Sequence, residues 1–263
     1  MNSTRHTTLA GLAADIHGTS DARRPIILLH GLSYDRRQWG PLIDELDAVD
    51  PGRRVLAVDL PGHGGSARRP SYHLDVVAEQ VHDAATEAGF DTPVVVGHSL
   101  GGALATVYAA AHPAAAVVNI DQPPLAGPFR DVLLRAEPVL RSPAYGEVWE
   151  TMLQGMGIDL LPPTARELVG TATTPRQDLL LGYWDEILTT PAEVLTERRT
   201  RDMGALRDRG IAYHHVSGEE LPPPYRQWLE TVLPDVTVTV IPGSGHFPHL
   251  ARPAELAKIL AAY

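Results

Sequence analysis

Ser99 stands between glycines in Val94-Val95-Val96-Gly97-His98-Ser99-Leu100-Gly101-Gly102-Ala103, where a β-branched apolar run passes directly into a glycine-framed hydroxyl. The chemistry this spacing supports is nucleophilic. A strand that turns sharply into a helix strains the serine backbone and lifts its hydroxyl above the sheet, and side chains two residues away collide unless they are glycine. The helix that follows aims its first amides at the same spot, where they can hold a developing oxyanion. As a bare pattern G-x-S-x-G also occurs by chance in glycine-containing loops. Context decides here, because Ala103 to Ala111 has helical composition and follows a strand-like run.

The partners of such a serine are sought at other strand ends. Leu28-Leu29-His30-Gly31-Leu32-Ser33 closes an apolar run with a glycine, so the backbone can pass close to a ligand. The amides of Leu32 and Leu100 then form a two-donor oxyanion hole. His30, between a buried strand and a glycine turn, is of the kind that fixes a loop by hydrogen bonding, although His30 and Gly31 are also candidate substrate contacts. In Asp59-Leu60-Pro61-Gly62-His63-Gly64-Gly65-Ser66 the glycines and proline specify a tight turn with Asp59 capping amides, and nothing directs His63 toward Ser99. The general base is assigned to Pro242-Gly243-Ser244-Gly245-His246-Phe247-Pro248-His249, after the last strand. Two glycines let that loop arch over the sheet, which favours His246; His249 already heads into the final helical region.

These residues must be carried by elements that the apolar pattern makes visible. Short apolar runs at 26–29, 54–58, 94–96, 116–120, 211–216 and 236–241 alternate with helical segments around 71–89, 100–112, 222–233 and 253–262. That alternation predicts an α/β fold of parallel strands joined by crossover helices, with further edge strands near the N-terminus. The stretch from Leu9 to Ala14 reads as one of those edge strands. From about 123 to 205 there is no clear strand. Trp149, Met152, Met156, Leu160, Leu161, Tyr183, Trp184 and Leu188 recur there at helical spacing between prolines, predicting an inserted helical cap (123–205) on a core made of 1–122 and 206–263. Most of these residues are the cap's own core; Trp149 and Trp184 are candidate substrate contacts.

With 263 residues, 44% of them hydrophobic, one large core can be buried. A formal charge of −10 and no Lys/Arg-rich run argue against nucleic acid or an anionic membrane as partner. The absence of cysteine excludes a thiol nucleophile. No secretion signal of normal form is recognised, and the expectation is a soluble, cytoplasmic protein.

His30-Gly31, Asp59-Leu60-Pro61-Gly62-His63-Gly64, Gly97-His98-Ser99-Leu100-Gly101-Gly102 and Gly245-His246, in this order over essentially the whole chain, resemble the α/β-hydrolase superfamily, in its serine-hydrolase branch with a helical cap. The resemblance implies a mostly parallel eight-stranded sheet, a cap between strands six and seven, a Ser-His-acid triad, no cofactor and no metal. The acid departs from the family pattern. Most relatives carry an aspartate after strand seven, three residues beyond a glycine, where this chain has Gly218-Glu219-Glu220-Leu221. Glu220 serves if that loop is one residue shorter. The alternative is Asp121, after strand six, a position used by one branch of the haloalkane dehalogenases, and the missing aspartate favours it. The reading is a hydrolase of a carboxylic ester, thioester or lactone acting through an acyl-enzyme on Ser99, with a small, partly apolar substrate. Its alternatives are a non-hydrolytic relative (a lyase or cofactor-free perhydrolase) and a small-molecule-binding protein that keeps the triad. The substrate itself and the oligomeric state are not specified by the sequence.

Overall fold

The computed structural model describes residues 4–19, 22–172 and 175–263. Its spine is one eight-stranded sheet: β1 (Arg5–Leu9), β2 (Leu12–His17), β3 (Ile26–Leu29), β4 (Val55–Val58), β5 (Val94–His98), β6 (Ala116–Ile120), β7 (Ala212–Ser217) and β8 (Thr237–Val240). The spatial order is β1-β2-β4-β3-β5-β6-β7-β8. The pairs β1–β2 and β2–β4 are antiparallel; the others are parallel. The expected strands all form. Leu9 to Ala14, read as a single edge strand, instead holds a hairpin turn. Ala10 (φ 45°) and Gly11 (φ 78°) connect Leu9 to its partner Leu12, and positive φ at both positions is what a two-residue hairpin of matching twist requires.

The helices are α1 (Gly40–Val49), α2 (Leu74–Glu87), α3 (Leu100–Ala111), α4 (Gly127–Leu140), α5 (Tyr145–Gln154), α6 (Pro163–Ala172), α7 (Gln177–Thr189), α8 (Ala192–Asp208), α9 (Pro223–Val232), α10 (Pro248–Ala251) and α11 (Pro253–Ala261). α1 lies outside the four expected helices. Pro41 is accommodated because a proline in a first turn lacks only an amide that the helix leaves unpaired anyway, and Leu42 and Leu46 share the buried face. Helices α4 to α8 fill the interval between β6 and β7. The last of them packs on α3 and β7 through buried Met203 and Leu206, and the expected boundary at 205 falls within it.

Strands β3, β4, β5 and β6 are buried along their whole length, as expected where helices cover both faces of a parallel sheet and the runs are continuously apolar. Side chains still alternate between two cores. Ile27, Leu29, Val95 and Val117 pack with Val77, Val81, Leu104 and Tyr108 of α2 and α3. Ile26, Leu28, Val94, Val96 and Val118 pack on the other face with Leu42, Leu46, Leu256 and Leu260 of α1 and α11. Each such side chain contributes about 1.5–3 kcal/mol on burial. Register pairs Leu29 with Gly97, His98 with Ile120 and Ile120 with Val216. The strands therefore end level, and the chain leaves β3, β5, β6 and β7 along one edge, where open α/β sheets form their ligand crevice.

Candidate active site

Between β5 and α3 the chain turns at Ser99, whose φ of 52° and ψ of −123° lie where a residue with a Cβ is strained. Its amide donates to Ile120 O (2.9 Å) and its carbonyl accepts from Gly102 N (2.7 Å). The flanking glycines are sterically obligatory. A Cβ on Gly97 would overlap the Gly101 carbonyl, and one on Gly101 would overlap the Leu29 carbonyl at the end of β3. The serine is partly exposed in a cavity of ≈ 590 Å³ that it shares with His246, Leu32 and Leu100. Among the described residues neither the Leu32 nor the Leu100 amide is occupied by a hydrogen bond within the chain. Leu100 opens α3, and the first amides of a helix have no intrahelical acceptor.

His246 and Asp121 come together across 125 positions, with Nδ1 of the imidazole 2.7 Å from Oδ2 of the carboxylate. Both side chains are partly shielded, at 19% and 23% exposure. The other carboxylate oxygen accepts the Gly218 amide (3.1 Å), so the loop after β7 contributes a main-chain donor. Asp121 itself adopts φ 53° directly after β6, and its amide donates to Val216 O (2.7 Å). Glu220 stands elsewhere. Its side chain is 76% exposed and lies 3.6 Å from Arg226 Nη1, while the Glu219 carbonyl accepts the Ser217 hydroxyl (2.8 Å). The part of this loop that meets the His246 loop is Gly218, where a Cβ would overlap the Gly245 carbonyl.

Neither His30 nor Gly31, the candidate substrate contacts at the end of β3, is among the residues that line the cavity. The His30 ring is fully enclosed, accepts the Leu60 amide at Nε2 (2.9 Å) and donates from Nδ1 to the Gly31 carbonyl (2.8 Å). Burial lowers its pKa from the ordinary value, which keeps this tautomer neutral. His63 makes the reciprocal tie, accepting the Ser33 amide (3.0 Å) and donating to Pro61 O (3.1 Å). The two histidines thereby lock the β3 and β4 loops together beside Leu32. Asp59, buried below them, accepts the amides of Arg36 (2.9 Å) and Gly65 (2.7 Å) and pairs with the Arg36 guanidinium. His249 is fully buried, its ring 4.3 Å from that of His98 and 4.8 Å from that of Trp39.

Trp149 and Trp184 line the cavity, together with Phe129, Met152 and Met156 of the same interval and with Tyr34 and Tyr72. Its lining also includes ion pairs, Arg198 with Glu186 and Arg199 with Asp202 (3.2 Å). Partial burial raises the Asp202 pKa. Two contributors have no role in the sequence reading: the Gly218 amide, in a loop searched only for carboxylates, and His98, inside the nucleophile motif. Among the described residues no group of three His, Asp or Glu side chains is placed to hold a metal ion. No helix among them is long and apolar enough to cross a membrane.

A strained serine between a parallel strand and a helix, with strand-end loops converging on it, defines an α/β-hydrolase type of enzyme. Residues 26–259 match the model of the alpha/beta hydrolase family, and the chain belongs to that family. It is 27% identical over 261 residues to the 2-succinyl-6-hydroxy-2,4-cyclohexadiene-1-carboxylate synthase of Enterobacter sp. (strain 638), covering 94% of this chain and 95% of that one. It is 29% identical over 259 residues to the pimeloyl-[acyl-carrier protein] methyl ester esterase of Aromatoleum aromaticum (strain DSM 19018 / LMG 30748 / EbN1), covering 90% and 97% respectively. Among solved structures, an AqdC variant described as recognising and cleaving the ring of the Pseudomonas quinolone signal superposes with a TM-score of 0.77 at 20% identity, over 100% of this chain and 98% of the other. That likeness speaks to the fold.

Proposed function

We propose that this enzyme hydrolyses a small, partly apolar carboxylic ester, thioester or lactone through an acyl-enzyme on Ser99. The observation that carries the reading is the 2.7 Å approach of His246 Nδ1 to Asp121, with Ser99 and His246 in one cavity. Nδ1–H donates to the carboxylate, which leaves Nε2 bare to accept the Ser99 hydroxyl proton as Oγ attacks the carbonyl carbon. The tetrahedral oxyanion lies between the Leu32 and Leu100 amides, each such donor contributing roughly 10²–10³ in rate. Collapse expels the alcohol or thiol, protonated by His246, and water repeats the sequence on the acyl-serine. The residues between β6 and β7 act as a cap that shapes the acyl or alcohol subsite; a cavity of ≈ 590 Å³ is of the size that encloses such ligands.

Labelling with a fluorophosphonate followed by an ester chain-length panel tests this. Stoichiometric modification at Ser99 and loss of about 10⁶-fold in turnover for Ser99→Ala support it, since members of such a triad act as a unit. Intact ester cleavage by Ser99→Ala refutes it. A second reading, non-hydrolytic chemistry at the same serine, is favoured by one relative's name, a synthase covering nearly its whole length. An acyl-serine trapped in intact mass spectra separates the two, because elimination chemistry forms none.

A further inference from the structure

We propose that His98, the residue before the nucleophile, is a positioning residue that holds the His246 peptide and so fixes the base relative to Ser99. The inference rests on the assignment of His246 as base. His98 Nε2 lies 2.7 Å from the His246 carbonyl oxygen, a contact across 148 positions of sequence. A carbonyl only accepts, so Nε2 carries a proton and donates it. The ring is fully buried, and burial together with the neighbouring His249 and His246 holds its pKa well below the ordinary value. A neutral imidazole has one N–H. Nδ1 is therefore bare, in keeping with its lack of a hydrogen-bond partner among the described residues. It faces Gly31, where a Cβ would stand 3.0 Å from it.

The loop needs such a tether. Gly243 and Gly245 both adopt positive φ (73° and 54°), and glycine at these positions permits many other conformations. Two peptide contacts remove that freedom: the His246 amide donates to Met156 O (2.9 Å), and its carbonyl accepts from His98. With Nδ1 engaged by Asp121, every polar group of His246 except Nε2 is held, by three different parts of the chain. Asp121 reaches Ser99 through the Ile120 carbonyl that accepts the Ser99 amide, and the tie from His98 adds a link through the residue covalently joined to the nucleophile. The His98 main chain ends the buried strand β5 and continues into Ser99, while its side chain carries the His246 peptide. One buried residue thus helps to set the separation of the two reacting groups, where a displacement of about 1 Å costs roughly 100-fold in rate.

The test compares His98→Leu, which fills the space without a donor, with His98→Gln, whose amide N–H reaches about as far as Nε2. With p-nitrophenyl butyrate, kcat per fluorophosphonate-titrated site should fall about 100-fold in His98→Leu with KM within about twofold, and His98→Gln should recover at least tenfold of the loss. A core-filling role would instead lower the titratable fraction and leave kcat per site unchanged, which overturns the proposal. Proton and nitrogen NMR of the ¹⁵N-histidine-labelled chain supplies a readout independent of turnover. His98 should be the Nε2–H tautomer, and the His246 Nδ1–H signal should persist in wild type and His98→Gln and vanish into exchange in His98→Leu. An Nδ1–H tautomer at His98 overturns the proposal even if His98→Leu does not fold. A chain without ester turnover or labelling counts against the hydrolase reading, and the His246 signal then still decides the tether.

Discussion

Asp121 and Glu220 differ in what a carboxylate can do from where it stands. Asp121 has one oxygen on the imidazole and the other on a backbone amide, so its charge is oriented and the tautomer of His246 is set. Glu220 projects into solvent beside Arg226, and exposed pairs of this kind contribute about 0–1 kcal/mol. Asp121→Asn should therefore lower kcat by about 10³–10⁴ in a steady-state ester assay, as expected when the wrong tautomer is imposed on a catalytic histidine. Glu220→Gln should stay within about twofold of wild type. The reverse ranking would move the acid to the loop after β7. Sequence reasoning reached this pair of candidates because a missing aspartate is visible as a letter. Proximity is not, since 125 positions separate the imidazole from the carboxylate.

At the level of elements, the site depends on glycines that let main chains approach one another. The turn after β5 is tight enough that the Cβ of an alanine at 97 or 101 would enter a carbonyl, and the sequence displays this directly as G-x-S-x-G. Gly218 plays the same part between two loops, with the chain after β7 passing under the His246 loop against the Gly245 carbonyl. Gly218→Ala should push that loop outward and lower kcat by about 10- to 100-fold. Its unfolding midpoint should drop far less than that of Gly97→Ala, which deforms a central strand. Paired measurement of kcat and thermal unfolding checks both, and an unchanged kcat for Gly218→Ala would show that the loops are not coupled. This packing between loops left no periodic signal, because the two segments are far apart in sequence and neither is regular.

Across the whole molecule, buried neutral histidines make stability depend on pH. Burial lowers the His249 pKa from 6.5 to about 3 and that of His215 to about 4. The unfolded chain therefore binds more protons than the folded one between these values and 6.5, so their stabilisation is complete above pH 6.5 and lost as pH falls toward 3. Each contributes a slope of up to about 1.4 kcal/mol per pH unit in that window. Urea unfolding from pH 4.5 to 7 should show stability rising with pH, and His249→Phe should flatten the rise by one histidine's share; an unchanged slope would mean that His249 is protonated in the folded state. Cavity shape is likewise a property of the assembled chain. Trp149→Ala should change KM for long-chain esters by several-fold more than for acetate esters, in a chain-length series, because its ring lines the cavity from the interval between β6 and β7. By itself the sequence determined the class of fold, the nucleophile motif and the order of strand ends, since apolar periodicity and obligatory glycines act over a few residues and are written locally. The meeting of Asp121 with His246, the enclosure of His30 and the tether from His98 were decided only by tertiary structure. They depend on level strand registers and on loops from distant positions packing in contact, and no local pattern encodes either.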